Sequence, residues 1–319
     1  MRLLIVKTSS MGDVIHALPL AADIAQARRG AQIDWLVEEG FAAIPAMSRH
    51  VTTVHRVALR RWRHAPFSSG TRNEIAAVKE ALRAARYDLV IDAQGLLKSA
   101  WVARWAGAAV AGFSSTTARE RLAARFYRTR IDVPRTLHAI DRCRMLGAQA
   151  LRYAVEGPPR FDLACEARPA VIVHAPYAVL LINASRLTKL WPHERWIEVE
   201  RAIAARGLLS VLFWGSEQEE RRTRELAGRM QRAVVAPRSS LDAIAASLSG
   251  ARVVVGVDTG LSHLAAALGC PTVAIYCDYD PGLVGLVGDG PVASLGGANV
   301  QTPASQAIQA IERVMAEAP

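Results

Sequence analysis

The chain has 319 residues, is 51% hydrophobic and carries a formal net charge of +10. This is enough apolar sequence for two cores of ordinary size, which excludes an intrinsically disordered protein. The four cysteines form no C-x-x-C pair and have no histidine at zinc-finger spacing, which excludes a disulfide framework and favours a reduced, cytoplasmic protein.

Short β-branched runs alternate with helical patterns in the first half. Strands are predicted at Leu3–Lys7, Ile33–Val37, Val54–Leu59, Leu89–Ala93 and Val110–Phe113, with helices such as Arg72–Arg86 and Thr116–Tyr127. Another helix is predicted directly after the first strand, with Val14, Leu18 and Ala21 on one face. Such alternation is typical of a parallel sheet covered on both faces.

A second series of the same kind fills the other half. Its predicted strands are Val179–Asn183, Leu208–Trp214, Val234–Ala236, Val253–Val257 and Thr272–Tyr276, and its helices are Pro192–Ala205, Glu217–Met230, Leu241–Leu248, Leu261–Leu268 and 303–316. Between the halves, Glu156–Arg160 breaks both periodicities. The fold class is therefore α/β, with two Rossmann-like, doubly wound domains at 1–158 and 159–319. By analogy with such folds, the final helix could pack back on the first domain.

Asp13 is the first candidate for chemistry. The loop from Thr8 to Asp13 joins the carboxyl end of the first strand to a helix, which is where open α/β sheets bind ligands. Asp13 could equally serve as a helix cap. The loop lacks both G-x-x-x-x-G-K-[ST] and G-x-G-x-x-G, so neither a P-loop nucleoside triphosphatase nor a dinucleotide dehydrogenase is supported.

The segment Asp258–His263 is the second candidate. A buried strand turns through Thr259 and Gly260 into a helix, so that backbone N–H groups can face a pyrophosphate. Asp258 and His263 lie in the same turn region and can face that ligand, although a helical histidine can also be an ordinary core residue. The apolar run around this segment is interrupted by charged residues, glycines and Pro271, so no transmembrane helix is predicted.

Polar side chains also follow two other strands of the second half. A hydroxyl at Ser185 and an ammonium at Lys189 suit phosphate oxygens, whereas a carboxylate in Glu217–Glu219 could bind ribose hydroxyls or lie on a solvated surface. The Asp278-Tyr279-Asp280 sequence imitates a metal-binding D-x-D. Because it adjoins Pro281-Gly282 and has no matching His or Glu cluster, we interpret it as a turn and expect no metal site.

The positive charge is concentrated in residues 1–150, which hold 23 Lys+Arg against 12 Asp+Glu. Arginines and a lysine at Arg60, Arg61, Arg63, Lys98 and Arg119 lie at strand ends or helix starts, an arrangement suited to phosphate or carboxylate. This half indicates a polyanionic partner such as nucleic acid, an anionic membrane or a phosphorylated lipid. Unspecific surface charge in an arginine-rich protein is the alternative.

Taken together, these segments resemble the bacterial lipopolysaccharide heptosyltransferase family, and most closely its first-heptose members. The resemblance spans nearly the whole chain. It is carried by Met1 to Pro19, Val37–Phe41, Arg60–Arg63, Ile91–Leu96, Thr117–Glu120, Trp191–Pro192 and Asp258–His263. The chain departs from the family at Ala184-Ser185, where two threonines are usual, and at Cys277–Asp280, where a Gly-Pro-Thr-Asp type turn is usual.

The resemblance implies a GT-B fold with a central cleft and inverting transfer of L-glycero-D-manno-heptose from ADP-heptose to Kdo of Kdo-lipid A. It implies an acceptor domain in the first half, a donor domain in the second, Asp13 as catalytic base and no metal cofactor. The donor site would comprise Ser185, Lys189, Glu219, Ser239, Asp258, Thr259, Gly260 and His263, and the acceptor site the five basic residues named above. The expected partners are the two substrates and an anionic inner-membrane surface on its cytoplasmic face, without nucleic acid, and the expected state is a monomer.

Two other functions remain open at this point. A non-catalytic polyanion-binding protein would explain the basic half but leaves Asp13 and Asp258–His263 without a role, and no DNA- or RNA-reading motif is present. The nearer alternative is a glycosyltransferase that uses a different nucleotide sugar, because the physical chemistry of these residues does not separate ADP-heptose from a close ADP-sugar.

Overall fold

The computed structural model describes residues 1–298 and 300–318. The chain divides into two units, Met1–Asp162 and Leu163–Pro319. The predicted boundary lies slightly before this division. The reason is that Phe161 is fully buried and Asp162 accepts a 2.8 Å hydrogen bond from His50 of the first unit.

The first unit alternates strands and helices around a buried sheet. Its elements are β1 (Arg2–Val6), α1 (Met11–His16), α2 (Leu18–Ala27), β2 (Gln32–Glu38), α3 (Ala43–Ala46), β3 (Thr53–Val57), α4 (Leu59–Trp62), α5 (Ser69–Ala84), β4 (Leu89–Asp92), α6 (Leu97–Ala103), β5 (Val110–Phe113), β6 (Thr129–Ile131) and α7 (Ala139–Leu151). Short 3₁₀ helices occupy Glu39–Phe41, Arg104–Ala106 and Arg121–Phe126.

The second unit repeats this plan. Its elements are β7 (Tyr177–Leu181), α8 (His193–Ala205), β8 (Leu209–Leu212), α9 (Glu217–Ala227), β9 (Ala233–Val235), α10 (Leu241–Ser249), β10 (Val253–Val257), α11 (Gly260–Ala267), β11 (Thr272–Tyr276), β12 (Val292–Gly296) and α12 (Ala304–Ala316), with 3₁₀ helices at Leu187–Lys189 and Pro281–Leu283. The final helix α12 packs against α8 and the strands of its own unit.

Both sheets have six parallel strands and the same connectivity. The order is β3-β2-β1-β4-β5-β6 in the first sheet and β12-β11-β10-β7-β8-β9 in the second. Each sheet therefore reverses its winding once, between β1 and β4 and between β7 and β10. In doubly wound sheets, ligands bind at the carboxyl ends of the strands beside this reversal. The predicted fold class of two Rossmann-like parallel sheets is confirmed.

Each sheet is buried because its strands are continuous apolar runs covered by helices on both faces. Leu3 to Val6 of β1 and Val253 to Val257 of β10 have almost no exposed surface. Among the residues that the structure describes, no helix combines the length and the apolar character needed to cross a bilayer.

Two predicted helices differ in the structure. The helix expected after β1 is broken into α1 and α2 at Ala17, because Pro19 has no N–H to donate to the preceding turn. The helix predicted over Thr116–Tyr127 is wrong: only the 3₁₀ helix Arg121–Phe126 forms. Here the backbone N–H of Glu120 donates to Gly95 O at 3.0 Å, so a tertiary contact takes a donor that a helix would have used.

Candidate active site

Three polar side chains meet at the carboxyl ends of β7 and β10, where the second sheet reverses its winding. The Lys189 Nζ contacts Asp258 Oδ2 and lies 3.3 Å from the carbonyl oxygen of the same residue. The His263 Nε2 lies 3.3 Å from the other carboxylate oxygen, Asp258 Oδ1. All three side chains are largely buried. We refer to them as the Lys189 cluster.

Asp258 is ionised at the centre of this cluster. Burial alone would raise its pKa, but hydrogen bonds from His263 and Lys189 outweigh burial and hold the pKa at about 2. The carboxylate therefore fixes the Lys189 ammonium beside the start of α11. An ammonium in that place can bind a phosphate oxygen.

The start of α11 supplies a second phosphate-binding feature. Thr259 precedes the helix in an extended conformation, its side chain makes no capping hydrogen bond, and Gly260 is the first helical residue. The N–H groups of a first helical turn have no partner within the helix and carry partial positive charge. Together with Lys189, they form an arrangement that suits a pyrophosphate.

The other predicted donor residues lie at the same edge of the sheet but outside the cluster. Ser185 is exposed in the loop after β7. Glu219 accepts hydrogen bonds from the N–H groups of Gly215 (2.7 Å) and Ser216 (3.2 Å), so in this structure it caps α9. The Ser239 hydroxyl donates to Pro237 O at 2.8 Å in the loop after β9.

The D-x-D sequence is engaged in local contacts. Asp278 accepts a 2.6 Å hydrogen bond from the Thr188 hydroxyl and lies 3.4 Å from the Arg186 guanidinium. Asp280 accepts from the N–H of Gly282 at 2.8 Å, which is the turn that the sequence predicts. Within 1–298 and 300–318, no three His, Cys, Asp or Glu side chains are grouped as metal ligands.

Asp13 lies at the corresponding position of the first unit, just after β1. Its Oδ2 accepts hydrogen bonds from the backbone N–H of Ser10 at 3.0 Å and from the Ser10 hydroxyl at 2.9 Å. The same oxygen is 3.3 Å from the Arg119 guanidinium. About a quarter of the Asp13 side chain remains exposed, so a hydroxyl group can reach it from solvent.

The charge on Asp13 is stabilised by its surroundings. Burial raises its pKa, but the positive charges of Lys7 and Arg119 and the two bonds from Ser10 dominate and lower the pKa to about 2. Asp13 is therefore an ionised carboxylate at neutral pH. It can accept a proton only from a hydroxyl whose own acidity rises during the reaction.

Sequence reasoning gave no role to two residues that shape this site. Gln94, at the end of β4, accepts from the N–H groups of Thr8 (2.9 Å) and Ser9 (3.2 Å) and donates to Ser9 O, which fixes the loop before Asp13. The buried Lys7 donates to Ala93 O at 2.8 Å. Lys7 directly follows an apolar strand, and a buried lysine needs a specific partner. This position could therefore have indicated a structural role for Lys7 from the sequence.

The basic residues around α4 differ in how far neighbouring carboxylates already neutralise them. Arg61 pairs with both Glu39 and Glu74 at about 3 Å, so two carboxylates already neutralise it. Arg60 lies over the ring of Phe41 at 5.5 Å, and Arg63 is exposed. Of these three guanidiniums, those of Arg60 and Arg63 are the better placed to receive an anion.

A chain of hydrogen bonds places these groups at the edge that carries Asp13. The N–H of Glu38 donates to Thr8 O at 3.1 Å, and the Glu38 carboxylate accepts from the N–H of Arg60 at 3.0 Å. On the other side of β1, the Lys98 Nζ donates to the Ser9 hydroxyl at 3.3 Å. The predicted acceptor residues therefore border one end of the first sheet.

Comparison with known proteins agrees with this geometry. Residues 75–313 match glycosyltransferase family 9 (heptosyltransferase). Lipopolysaccharide heptosyltransferase 1 of Pseudomonas aeruginosa is 47% identical over 90% of this chain and 82% of its own length. Escherichia coli heptosyltransferase WaaC solved with ADP is 42% identical, with a TM-score of 0.88 over 98% of this chain and 99% of that one. The same enzyme solved with ADP-2-deoxy-2-fluoro heptose gives 0.86 over the same shares at 41% identity.

These relatives confirm the resemblance that the sequence motifs indicate and the GT-B class of the two parallel-sheet domains. A family match over most of the chain and a near-half identical relative lead to one conclusion: this chain belongs to glycosyltransferase family 9, the heptosyltransferases.

Proposed function

We propose that this chain transfers L-glycero-D-manno-heptose from ADP-heptose to Kdo of Kdo-lipid A, a step in building the lipopolysaccharide inner core. The observation that carries the proposal is the Lys189 cluster beside the start of α11, at the reversal of the second sheet. It supplies the cation and the backbone N–H groups that a nucleoside diphosphate requires. The similarity to an enzyme solved with ADP supports the same donor.

On the donor side, Lys189 and the N–H groups of Thr259 and Gly260 bind the pyrophosphate. His263 and Asp258 hold Lys189 in place, and the exposed Ser185 hydroxyl adds a contact to phosphate. Glu219 and Ser239 lie further along the same edge of the sheet, where they face the nucleoside. Glu219 must exchange one of its capping bonds for a ribose hydroxyl to do so.

On the acceptor side, Arg60, Arg63, Lys98 and Arg119 bind phosphate and carboxylate groups of Kdo-lipid A. Arg61 takes part only after releasing one of its two glutamates. The acceptor hydroxyl approaches Asp13, which is ionised and partly exposed.

The chemistry is a single in-line displacement. The acceptor oxygen forms a bond to the anomeric carbon as the bond from that carbon to the ADP oxygen breaks, so the configuration inverts. Asp13 takes the hydroxyl proton as positive character develops on the attacking oxygen. ADP leaves as an anion that Lys189 and the start of α11 stabilise.

Catalysis proceeds without a metal in this proposal, because the cationic groups for the leaving diphosphate come from the chain itself. Asp278 and Asp280 are engaged with Thr188 and Gly282 and so have no part in the mechanism. Activity should survive EDTA. Loss of activity that magnesium or manganese restores would overturn this part.

The enzyme acts as a monomer at the cytoplasmic face of the inner membrane. The excess of Lys and Arg over residues 1–150 supports this, since anionic lipid attracts such a surface. No nucleic acid is involved.

Substituting Lys189→Ala tests the donor site directly. Loss of a charge-assisted hydrogen bond should weaken ADP binding by roughly ten- to a hundredfold, as measured by calorimetry. The matched control is Lys98→Ala in the first unit, which should bind ADP normally. Unchanged ADP affinity in Lys189→Ala would show that the donor site is elsewhere.

A donor screen tests the substrate. The purified enzyme is incubated with Kdo-lipid A and a panel of ADP-sugars, and ADP release and product mass are measured. ADP-heptose should be used fastest. Faster transfer from another ADP-sugar would overturn the choice of heptose while leaving the nucleotide site intact.

A further inference from the structure

Three apolar side chains are exposed close together on the first unit. Leu97 and Trp101 on α6 are 38% and 49% exposed, and Leu122 in the adjoining 3₁₀ helix is 49% exposed. We propose that this surface docks on an anionic lipid bilayer, with Trp101 and the two leucines entering the interface. We call it the Trp101 face: Leu97, Trp101, Arg104, Arg121, Leu122 and Arg125.

Helix geometry explains why these residues share a face. Leu97, Trp101 and Arg104 follow one another at spacings of four and three residues, so they form one stripe, whereas the opposite side is buried and carries Ser99, Val102 and Ala103. Trp101 packs edge-to-face on the buried Trp105, with 4.9 Å between ring centroids, and so stands on the core.

Glu120, the residue before the 3₁₀ helix, makes two hydrogen bonds that hold this helix beside the start of α6. The Glu120 carboxylate accepts from the N–H of Leu97 at 2.6 Å, and the N–H of Glu120 donates to Gly95 O at 3.0 Å. Leu122, two residues further on, is thereby held beside the stripe on α6. The face is built in advance, so binding requires little ordering of the chain.

The charges around the face select the partner. The same two segments, 97–104 and 121–128, carry five exposed cations: Lys98, Arg104, Arg121, Arg125 and Arg128. Glu120 is the acidic residue between Leu97 and Arg128, and its carboxylate already accepts a hydrogen bond from the N–H of Leu97. Tryptophan and leucine among arginines are typical of side chains that lie at the level of lipid headgroups, with the cations near anionic phosphate.

The position of the face fits the proposed acceptor, and in this respect the inference rests on the proposed function. Lys98 on α6 reaches Ser9, and Arg119, directly before Glu120, contacts Asp13. The face therefore adjoins the loop that carries Asp13. A lipid whose sugar must reach Asp13 while its acyl chains stay in the bilayer requires a membrane contact at this place.

Binding to vesicles tests the proposal with the full chain. The probes are vesicles of phosphatidylcholine alone and of phosphatidylcholine mixed with phosphatidylglycerol. The protein should sediment with the anionic vesicles and not with the neutral ones. Of the seven tryptophans, all described, Trp101 alone is exposed, so its fluorescence should shift to the blue and be quenched by brominated lipid.

Two variants locate the contact. Trp101→Ser combined with Leu122→Ser should weaken binding to anionic vesicles by about tenfold or more, since two apolar side chains are lost from the interface. Leu122→Glu alone should do the same without touching Trp105. The matched control is Ile172→Ser, which removes a side chain that is 80% exposed in the second unit and should bind as wild type.

The proposal would be overturned if both variants still bound anionic vesicles, or if Ile172→Ser lost as much vesicle binding as they do. It would also be overturned if the variants bound vesicles normally but changed in another property. That property could be the mass of the protein in sedimentation equilibrium, which would indicate a protein interface, or the affinity for nucleic acid.

A second measurement separates this inference from the proposed function. Heptose transfer to a water-soluble, deacylated acceptor should be the same in Leu122→Glu as in wild type, whereas transfer to acceptor embedded in vesicles should fall. If no acceptor is glycosylated but vesicle binding still depends on the Trp101 face, the proposed function fails and the docking surface stands. If both acceptors are used equally by the variant, the docking surface fails and the function stands.

Discussion

Asp13 has two roles in the structure that a single substitution can separate. It accepts a hydrogen bond from the N–H of Ser10, the residue that caps α1, and its ionised carboxylate lies 3.3 Å from the Arg119 guanidinium, one of the predicted acceptor cations. Asparagine keeps the first role, because its side-chain amide oxygen can accept the same hydrogen bond, but it has no carboxylate to take a proton.

We expect Asp13→Asn to lower turnover by about 100-fold or more while the fold persists and ADP affinity stays near wild type. Some stability should be lost, up to roughly 2 kcal/mol, because the lowered pKa of Asp13 also stabilises the folded state. Turnover and melting temperature should be measured side by side on the same preparation. Near-normal turnover would remove Asp13 from catalysis and leave it as a cap.

Arg119 lowers the pKa of Asp13 and therefore the pH at which the base is lost. In the proposed mechanism the unprotonated carboxylate is the base, so turnover should fall as pH drops through the pKa of Asp13. In Arg119→Ala that pKa rises, because one of the two positive charges is gone. The acid limb of the pH profile of turnover should move to higher pH.

The profile should be recorded at saturating substrates, so that weaker acceptor binding does not mimic the shift. Lys98→Ala is the matched control, since Lys98 bonds Ser9 and not Asp13, and its acid limb should stay in place. An unmoved limb in Arg119→Ala would argue against Asp13 as the group that titrates.

At the scale of elements, apolar periodicity predicts the strands that lie inside the sheets. It does not predict β6 or β12, each of which lies at the edge of its sheet and pairs with one strand, β5 and β11 respectively. Thr129 and Arg130 in β6 are exposed, so this strand needs no apolar run and leaves no signal. The helix predicted over Thr116–Tyr127 is reduced to the 3₁₀ helix Arg121–Phe126 for another reason. The hydrogen bond from Glu120 N–H to Gly95 O joins segments distant in sequence, so no local pattern shows it.

The candidate site is also predictable only in part from the sequence. Position after a strand indicates that Lys189 and Asp258 share one edge of the sheet, because the carboxyl ends of parallel strands meet there. That the two side chains touch depends on the strand order, which places β7 beside β10. The case of Glu219 differs and has a local signal: Ser216 and Glu219 have the Ser-x-x-Glu spacing of a capping box, in which the glutamate caps its own helix.

Close packing of β10 on α11 sets the position of the phosphate-binding turn. A Cβ added at Gly256 would fall on the Ser262 hydroxyl of α11 and 3.0 Å from the Leu181 Cβ of β7. We expect Gly256→Ala to lower the free energy of unfolding by about 1–3 kcal/mol and to weaken ADP binding, because α11 must move.

Adding Ser262→Ala should restore part of both losses, since it removes the nearer obstacle. The control is Gly40→Ala, where the added methyl meets nothing within 4 Å. Denaturant unfolding and calorimetry measure the two effects. Absence of any rescue in the double variant would show that β10 and α11 are not coupled in this way.

Across the whole molecule, carboxylates with a lowered pKa link stability to pH: Asp13 and Asp34 in the first unit and Asp258 in the second. Burial would raise the pKa of Asp34, but hydrogen bonds from His55, Tyr87 and Arg2 hold it at about 2, and Asp258 has a similar value. A lowered pKa gives stability that is complete above the unfolded value near 3.8 and is lost as pH falls through about 2.

Each aspartate should therefore contribute roughly 2 kcal/mol that disappears between about pH 4 and pH 2. Asp34→Asn should be less stable than wild type at neutral pH yet lose less stability over this window, as followed by denaturant unfolding at several pH values. Asp242→Asn, an exposed carboxylate in the first turn of α10, is the control and should keep the wild-type slope. A wild-type slope in Asp34→Asn would contradict the assignment.

The shared strand order of the two sheets has a consequence for how such enzymes diversify. Each unit has its own core and its own point at which the sheet reverses its winding. Each core fixes the strand ends, and the loops with the candidate site residues follow those strand ends. Under the proposed assignment, mutations after β7 and β10 can change the nucleotide sugar without disturbing the first core, and mutations after β1 and β4 can change the sugar that receives it. Descendants of such a chain can thus keep an inherited nucleotide half while the other half adapts to a new cell envelope.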